Sequence, residues 1–302
     1  MKSLLSITDL SAEDIHNIVQ LAMDMKAHPQ HYTKSLAGKH CVMLFEKPSL
    51  RTRASFEVGL QQLGMSTHFF DMQHDKMGAR ESVKDLANNL SQWYDAVVAR
   101  VDCHDSLVQL KSHGNLPVIN ALCDRFHPCQ ALADFLTMAE MSSLKEGVHL
   151  GYVGDFNNVC SSLIHVAALL NVSMTVVSPS CNQAQFDLIE TAKSASNASL
   201  QWCSSVEQLK EVDFIYTDVW QSMGAKNSLD DIEATYLPYQ VNHRLMQQTN
   251  ARFFMHCQPV HRGQEATSEV CDGSNSLMYQ QAANRMHVQK ALLYWIFNGA
   301  HS

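Results

Sequence analysis

Long apolar runs are missing from this 302-residue sequence. No stretch approaches the ~20 residues that cross a bilayer, so no membrane partner is expected. The start, Met1-Lys2-Ser3-Leu4-Leu5-Ser6, lacks an apolar core followed by a small-residue cleavage site, so no secretory signal is read. Dense Lys/Arg runs are missing as well. With 22 Lys and Arg against 30 Asp and Glu, the formal charge is −8, which argues against a nucleic-acid surface. Any attraction for an anion must therefore be local. The nine cysteines form no C-x-x-C pair and are odd in number, which points to reduced thiols in a cytoplasmic protein rather than a disulfide frame or zinc ribbon. The sixteen histidines show no H-E-x-x-H or H-x-x-x-H spacing, so no metal site is expected. Neither the G-x-G-x-x-G fingerprint nor the P-loop pattern occurs, which removes the main support for a nucleotide enzyme.

What is present is an alternation of short apolar runs with amphipathic stretches, the pattern of parallel sheets covered by helices. Strands are predicted at 41–45, 67–70, 96–101 and 117–120, then at 148–153, 174–178, 214–217 and 252–256. Helices are predicted from Ser11, with Ile15, Ile18, Val19, Ala22 and Met25 at helical spacing, near 52–63 and closed by Gly64, and near 82–94, opened by Ser82 and Asp85. Further helices fall near 130–141, 158–170, 183–194 and 242–248, and a last one spans about 284–297. Two β/α series of similar size imply two doubly wound domains, each a parallel sheet flanked by helices. The first comprises 1–133 plus 287–302, because the C-terminal helix is expected to pack back on it; the second comprises 134–286.

Polar residues concentrate at predicted strand ends. Glu46-Lys47-Pro48-Ser49-Leu50-Arg51-Thr52-Arg53 lies between a strand and a helix, where free N–H groups and partial positive charge hold a phosphate dianion and a guanidinium adds a bidentate grip. An ordinary helix cap with solvated arginines is the alternative. Arg100, Asn157-Asn158, Asp218 and His256-Cys257 follow four other strands, at the edge where open α/β sheets bind ligands.

These segments, with His127-Pro128-Cys129-Gln130, Gly154-Asp155, Asp218-Val219-Trp220, Ser222-Met223-Gly224, His256-Cys257-Gln258-Pro259, His261-Arg262-Gly263 and Asn284-Arg285, resemble the aspartate/ornithine carbamoyltransferase family in order over nearly the whole chain. The ornithine users are the nearer match through Ser222-Met223-Gly224. The resemblance implies carbamoyl transfer from carbamoyl phosphate to the side-chain amine of L-ornithine, giving L-citrulline and phosphate in arginine metabolism, with no metal or organic cofactor. It places Ser49, Leu50, Arg51, Thr52 and Arg100 on the phosphate, Leu50 through its backbone. His127 and Gln130 meet the carbamoyl group, and Arg285 with Cys257 and Gln258 completes that pocket. Asn158, Asp218, Ser222 and Met223 hold the amino acid. Arg51, Arg100, His127, Gln130 and Cys257 are the candidate catalytic residues. Lys76 stands where a polar residue, often glutamine, reaches the neighbouring subunit's site, which implies a homotrimer or a multiple of it.

Leu50 stands in place of the common threonine and Gln258 in place of leucine, and Lys76 is closer to the aspartate users. Another acceptor, such as putrescine or an acylated ornithine, and a catalytically silent metabolite-binding homologue are the competing readings. His127 also fits a turn cap and Cys257 an inert buried thiol, while Arg53 is expected to pair with Glu57 at i+4.

Overall fold

The computed structural model describes residues 2–142, 147–220 and 229–299. The chain divides into two compact units, one of Met1–Leu136 with Asn284–Ser302 and one of Thr137–Ala283. The first unit runs α1 (Ala12–Ala27), β1 (His40–Phe45), α2 (Leu50–Gln62), β2 (Ser66–Asp71), α3 (Val83–Trp93), β3 (Ala96–Arg100), α4 (His104–His113), β4 (Val118–Leu122) and α5 (Pro128–Met141), which leads into the second. The second continues with β5 (His149–Val153), α6 (Asn158–Leu169), β6 (Ser173–Val177), α7 (Gln183–Ser194), β7 (Leu200–Cys203), β8 (Phe214–Thr217), α8 (Leu229–Tyr236), α9 (His243–Gln248), β9 (Phe253–His256) and α10 (Ser268–Cys271). Helix α11 (Met278–Tyr294) returns the chain to the first unit.

The strand order is β2-β1-β3-β4 in one sheet and β7-β6-β5-β8-β9 in the other, and every pairing is parallel. Helices cover both faces, so central strands read as unbroken apolar runs. In β1 every residue after His40 is buried, as is every residue of β3 before Arg100. In each sheet the order reverses once, between β1 and β3 and again between β5 and β8. The loops leaving the carboxyl ends of those pairs are thrown to opposite faces and leave a crevice, where doubly wound sheets bind ligands.

Local chemistry explains where the elements begin and stop. Ser11 and Asp14 form a capping box on α1, Ser82 accepts from the Asp85 N–H at the start of α3, and Asn157 caps α6 by accepting from Val159 and Cys160. Helix α2 stops at Gly64, whose φ of +83° suits a residue without Cβ; an added Cβ would lie 3.2 Å from the Thr33 carbonyl. The N-terminal segment lies along the free edge of β4, with the Leu4 N–H donating to Val118 at 2.9 Å and the Asn120 N–H to Leu4 at 2.8 Å.

Helix α11 lies against the first unit's own elements. Lys290 Nζ donates to Gln62 Oε1 at 2.9 Å, the Tyr294 ring meets Tyr32 edge-on at 5.4 Å, and Lys2 sits over the Trp295 ring at 4.2 Å. Close approach is possible because Gly59 on α2 has no side chain, and a Cβ there would lie 3.1 Å from Met286 Cγ. This helix begins at Met278, six positions before the expected Asn284, and α4, β7, α8 and α10 fall in stretches where no element is expected from the sequence. No helix among the described residues is long and apolar enough to cross a membrane.

Candidate active site

In the first unit the chemistry gathers at the carboxyl ends of β1, β3 and β4. Ser49 caps α2 in extended geometry, and its Oγ accepts from the Thr52 N–H at 3.3 Å and donates to Thr52 Oγ1 at 2.9 Å. Thr52 is wholly buried and two guanidinium groups converge on it, Arg285 Nη2 donating to Oγ1 at 2.7 Å and Arg100 Nη1 standing 3.5 Å away. Two cations thus lie at a helix N-terminus that already carries partial positive charge, an arrangement that favours a dianion. Leu50 opens α2 with its side chain 82% exposed, so only its backbone faces that site. Arg51 is exposed on the next helical position.

His127 precedes α5, and its carbonyl accepts from the Gln130 and Ala131 N–H groups at 3.1 and 3.2 Å. Burial pushes the His127 imidazole well below the usual range, and the positive charges of Arg285 and Arg100 push the same way. The ring is therefore neutral at ordinary pH and offers one N–H donor. One turn further, Gln130 is fully buried, and its Nε2 donates to Asp134 Oδ1 at 2.7 Å. Its Oε1 has no hydrogen-bond partner among the described residues. A buried acceptor left open beside cationic donors suits a ligand carrying both an anion and an amide N–H.

Buried Glu46 was not singled out by the sequence reading. Its Oε1 accepts from the Met77 N–H at 3.0 Å and its Oε2 from the Asp102 N–H at 2.7 Å, so it links the loop bearing Lys76 to the end of β3. Asp102 pairs with Lys47 at 2.9 Å and with Lys76. Arg53 pairs with Glu57 at 2.9 Å as expected, and it also lies over the Phe69 ring.

In the second unit the groups lie at the ends of β5, β8 and β9. The turn after β5 passes close to β8 at Gly154, where φ is +130° and a Cβ would lie 3.3 Å from Thr217 Oγ1. Asp218 is nearly buried and accepts three hydrogen bonds, from Asn157 Nδ2 at 2.7 Å, the Val219 N–H at 2.8 Å and Cys257 Sγ at 3.0 Å. Asn157 is thus tied to Asp218, and Asn158, the residue named from the sequence, follows it as the first residue of α6. Ser222 and Met223 lie outside the described residues.

Beyond β9, Gln258 has a left-handed backbone with φ of +61°, which non-glycine residues rarely adopt. Its N–H donates to His256 Nδ1 at 2.8 Å, and His256 Nε2 faces Glu265 Oε1 at 3.2 Å. With Nδ1 accepting, the ring proton points at Glu265. Asp218, His256 and Cys257 each offer a ligand atom within 4.8 Å of one another. Internal hydrogen bonds already engage both His256 nitrogens and join Cys257 to Asp218, a poor fit to the open ligand set that zinc requires.

Glu265 and His256 are both fully buried. Burial pushes the Glu265 carboxyl up, but hydrogen bonds from His256 and the His261 N–H together hold it below its ordinary 4.5. A depressed carboxyl pKa contributes stability that is present above that ordinary value and lost as pH falls through the folded one. Glu265→Gln is expected to cost about 1–3 kcal/mol at neutral pH, read by urea unfolding. The gap to the parent should shrink below pH 4.5; a gap unchanged with pH would refute the ionised pairing.

Comparison with known proteins agrees over both units. The carbamoyl-P binding domain of aspartate/ornithine carbamoyltransferases matches residues 2–140 and the Asp/Orn binding domain matches 146–296. The ornithine carbamoyltransferase of Shewanella oneidensis is 47% identical over 301 residues, covering 99% of this chain and 100% of that protein. That of Moritella abyssi is 44% identical over 296 residues, covering 97% and 98%. Among solved structures, ornithine carbamoyltransferase from Pyrococcus furiosus superposes with a TM-score of 0.91 at 37% identity over 97% of this chain and 96% of that one. The anabolic enzyme from Campylobacter jejuni gives 0.92 at 30% identity over 99% and 100%.

Proposed function

The chain belongs to the aspartate/ornithine carbamoyltransferase family, and from that premise we infer that it transfers the carbamoyl group of carbamoyl phosphate to the side-chain amine of L-ornithine, giving L-citrulline and phosphate. The observation that carries the reading is the convergence of Arg100 and Arg285 on Thr52 at the start of α2, beside neutral His127 and the open acceptor of Gln130.

In this reading the first unit binds the donor. The α2 amides, Ser49, Arg51, Thr52 and Arg100 take the phosphate. His127 and Arg285 donate to the carbamoyl oxygen, and Gln130 Oε1 accepts from the carbamoyl amide. Attack on the carbonyl carbon builds negative charge on that oxygen, where preorganised donors act as an oxyanion hole. The second unit binds ornithine, with Asn158, Ser222 and Met223 assigned by the resemblance and Asp218 as the carboxylate for its ammonium group. Cys257 and Gln258 are assigned to the carbamoyl pocket by the resemblance. The side-chain amine has an ordinary pKa near ~10.4 and must arrive uncharged. Desolvation favours the neutral form, and the departing phosphate is basic enough to take the proton.

The chain is further proposed to act in the cytoplasm as a homotrimer or a multiple of it, with the Lys76 loop reaching a neighbour's donor site. In support, edge strand β2 leaves Phe70 50% exposed, and Leu50 and Val58 on α2 are exposed as well. In this single chain Lys76 is held by Asp102.

Labelled carbamoyl phosphate offered to L-ornithine, putrescine, N-acetylornithine and L-aspartate tests the acceptor. Citrulline and phosphate are expected in equal amounts with ornithine alone. Turnover of putrescine without ornithine would move the assignment to a diamine.

A further inference from the structure

The turn that delivers His127 is organised around a buried thiol for which the carbamoyl-transfer scheme has no use. β4 ends at Leu122, and the Cys123 N–H then donates to the Phe126 carbonyl at 3.0 Å. The Phe126 N–H donates back to Cys123 Sγ at 3.4 Å, and Asn120 Nδ2 donates to the same sulfur at 3.3 Å while also reaching the Leu5 carbonyl at 2.8 Å. His104 Nδ1 lies 3.3 Å from that sulfur. Asn120 and Cys123 are both fully buried.

Each of the four residues between Leu122 and His127 is tied to the start of α4. Cys123 meets the His104 ring, and Asp124 Oδ1 accepts from the His104 N–H at 2.7 Å. Arg125 Nη2 pairs with Asp105 at 3.2 Å, and the Phe126 ring stands edge-on to His104 at 5.3 Å. Helix α4 begins four residues after Arg100, and the Val101 N–H donates to the Leu122 carbonyl at 3.0 Å. One set of contacts thus governs the spacing between the phosphate-side Arg100 and His127.

Sulfur suits this centre. It accepts at 3.3–3.4 Å from two directions here, whereas an oxygen acceptor draws N–H donors to about 2.7–3.2 Å. Burial also pushes the Cys123 thiol up, so the sulfur keeps its proton and can itself donate to the Phe126 carbonyl at 3.6 Å. A serine at this position would satisfy fewer partners or contract the turn.

We propose that Cys123 is a positioning residue for His127, its sulfur fixing the turn from which the imidazole reaches the carbamoyl group. This rests on the carbamoyl-transfer reading above. His127 meets the carbamoyl half of the donor and not the phosphate half, so displacing it slows transfer without weakening the hold on phosphate.

Cys123→Ala and Cys123→Ser are made alone and with His127→Ala, and kcat is read together with the affinity for inorganic phosphate. Cys123→Ala alone is expected to lower kcat about 10-fold through a misplaced donor, with phosphate affinity unchanged within about twofold. Cys123→Ser is expected to fall between it and the parent. Added to His127→Ala, Cys123→Ala should change kcat by less than about twofold, because the group it positions is already gone. A 10-fold fall persisting in that background, or phosphate affinity falling in step with kcat, would overturn the proposal. If the alanine variant does not fold, Cys123→Ser carries the test, and a kcat equal to the parent's or a fall that persists beside His127→Ala would overturn the proposal. A parent chain that releases no phosphate with ornithine would instead defeat the carbamoyl-transfer reading itself.

Discussion

Arg285→Ala is expected to lower kcat about 10²–10³-fold, the loss that follows removal of one preorganised donor to a developing oxyanion. Arg285 is buried, donates to Thr52 Oγ1 at 2.7 Å and acts on His127 more strongly than Arg100 does. A second effect is distinguishable from the first. Removing a nearby positive charge makes the imidazolium less unfavourable, so the His127 pKa rises toward its ordinary 6.5. In the parent His127 stays neutral well below that value, and its protonation leaves no mark on kcat near neutrality. In the variant, imidazolium forms at higher pH, and the acid limb of the kcat profile shifts upward. Arg285→Lys separates the two effects. It keeps the charge and hence the low limb, but loses the planar fork that lets one side chain serve Thr52 and the donor, so its rate stays depressed. A variant with the parent's kcat, or one with a lower rate but an unmoved acid limb, would remove Arg285 from the carbamoyl pocket.

The two doubly wound sheets were legible because their strands are covered on both faces. Cys41–Phe45 and Val148–Val153 stand out as apolar runs for that reason alone. Helix α4 was not, since Leu107, Val108 and Leu110 make too short an apolar stripe and Cys103 caps it without a side-chain hydrogen bond. β7 has four residues at a sheet edge, and only Leu200 is fully buried. The start of α11 was hidden by its buried polar residues. Gln281, Asn284, Arg285, Gln289 and Lys290 are all buried polar residues, and four of them have named partners: the His256 N–H, Lys26, Thr52 and Gln62. A helix that spends its inward face on such contacts shows little apolar periodicity. At the site, the motif residues could be read as types suited to a dianion and an amide. That Thr52 is the point on which two arginines converge could not, because that depends on where α11 returns.

Asp218→Asn is expected to raise the KM for ornithine roughly 10- to 100-fold, the worth of one charge-assisted hydrogen bond, and to leave that for carbamoyl phosphate within about twofold. The asymmetry follows from where Asp218 sits. It closes β8, and its partners Asn157, Val219 and Cys257 all belong to the second unit, whereas Thr52, Arg100 and Arg285 belong to the first. Oδ2 accepts from Asn157 and Oδ1 from both the Val219 N–H and Cys257, so the amide must turn its NH₂ either toward Asn157 or toward the other two donors together. If it faces Asn157, two NH₂ groups meet. Turning Asn157 around would bring its Oδ1 to the substituted side chain but withdraw it from the Val159 and Cys160 N–H groups, at 2.9 and 3.2 Å, which it caps at the start of α6. If the NH₂ faces Cys257 instead, the thiol loses the acceptor that orients it at 3.0 Å. Either way the carboxylate proposed to hold the ornithine ammonium group is lost. Adding Asn157→Asp should restore little, because it returns a charge at the wrong end of the hydrogen bond and removes the Nδ2 donor. Equal rises in both KM values would refute the assignment of donor and acceptor to separate units, and an unchanged KM for ornithine would remove Asp218 from its site.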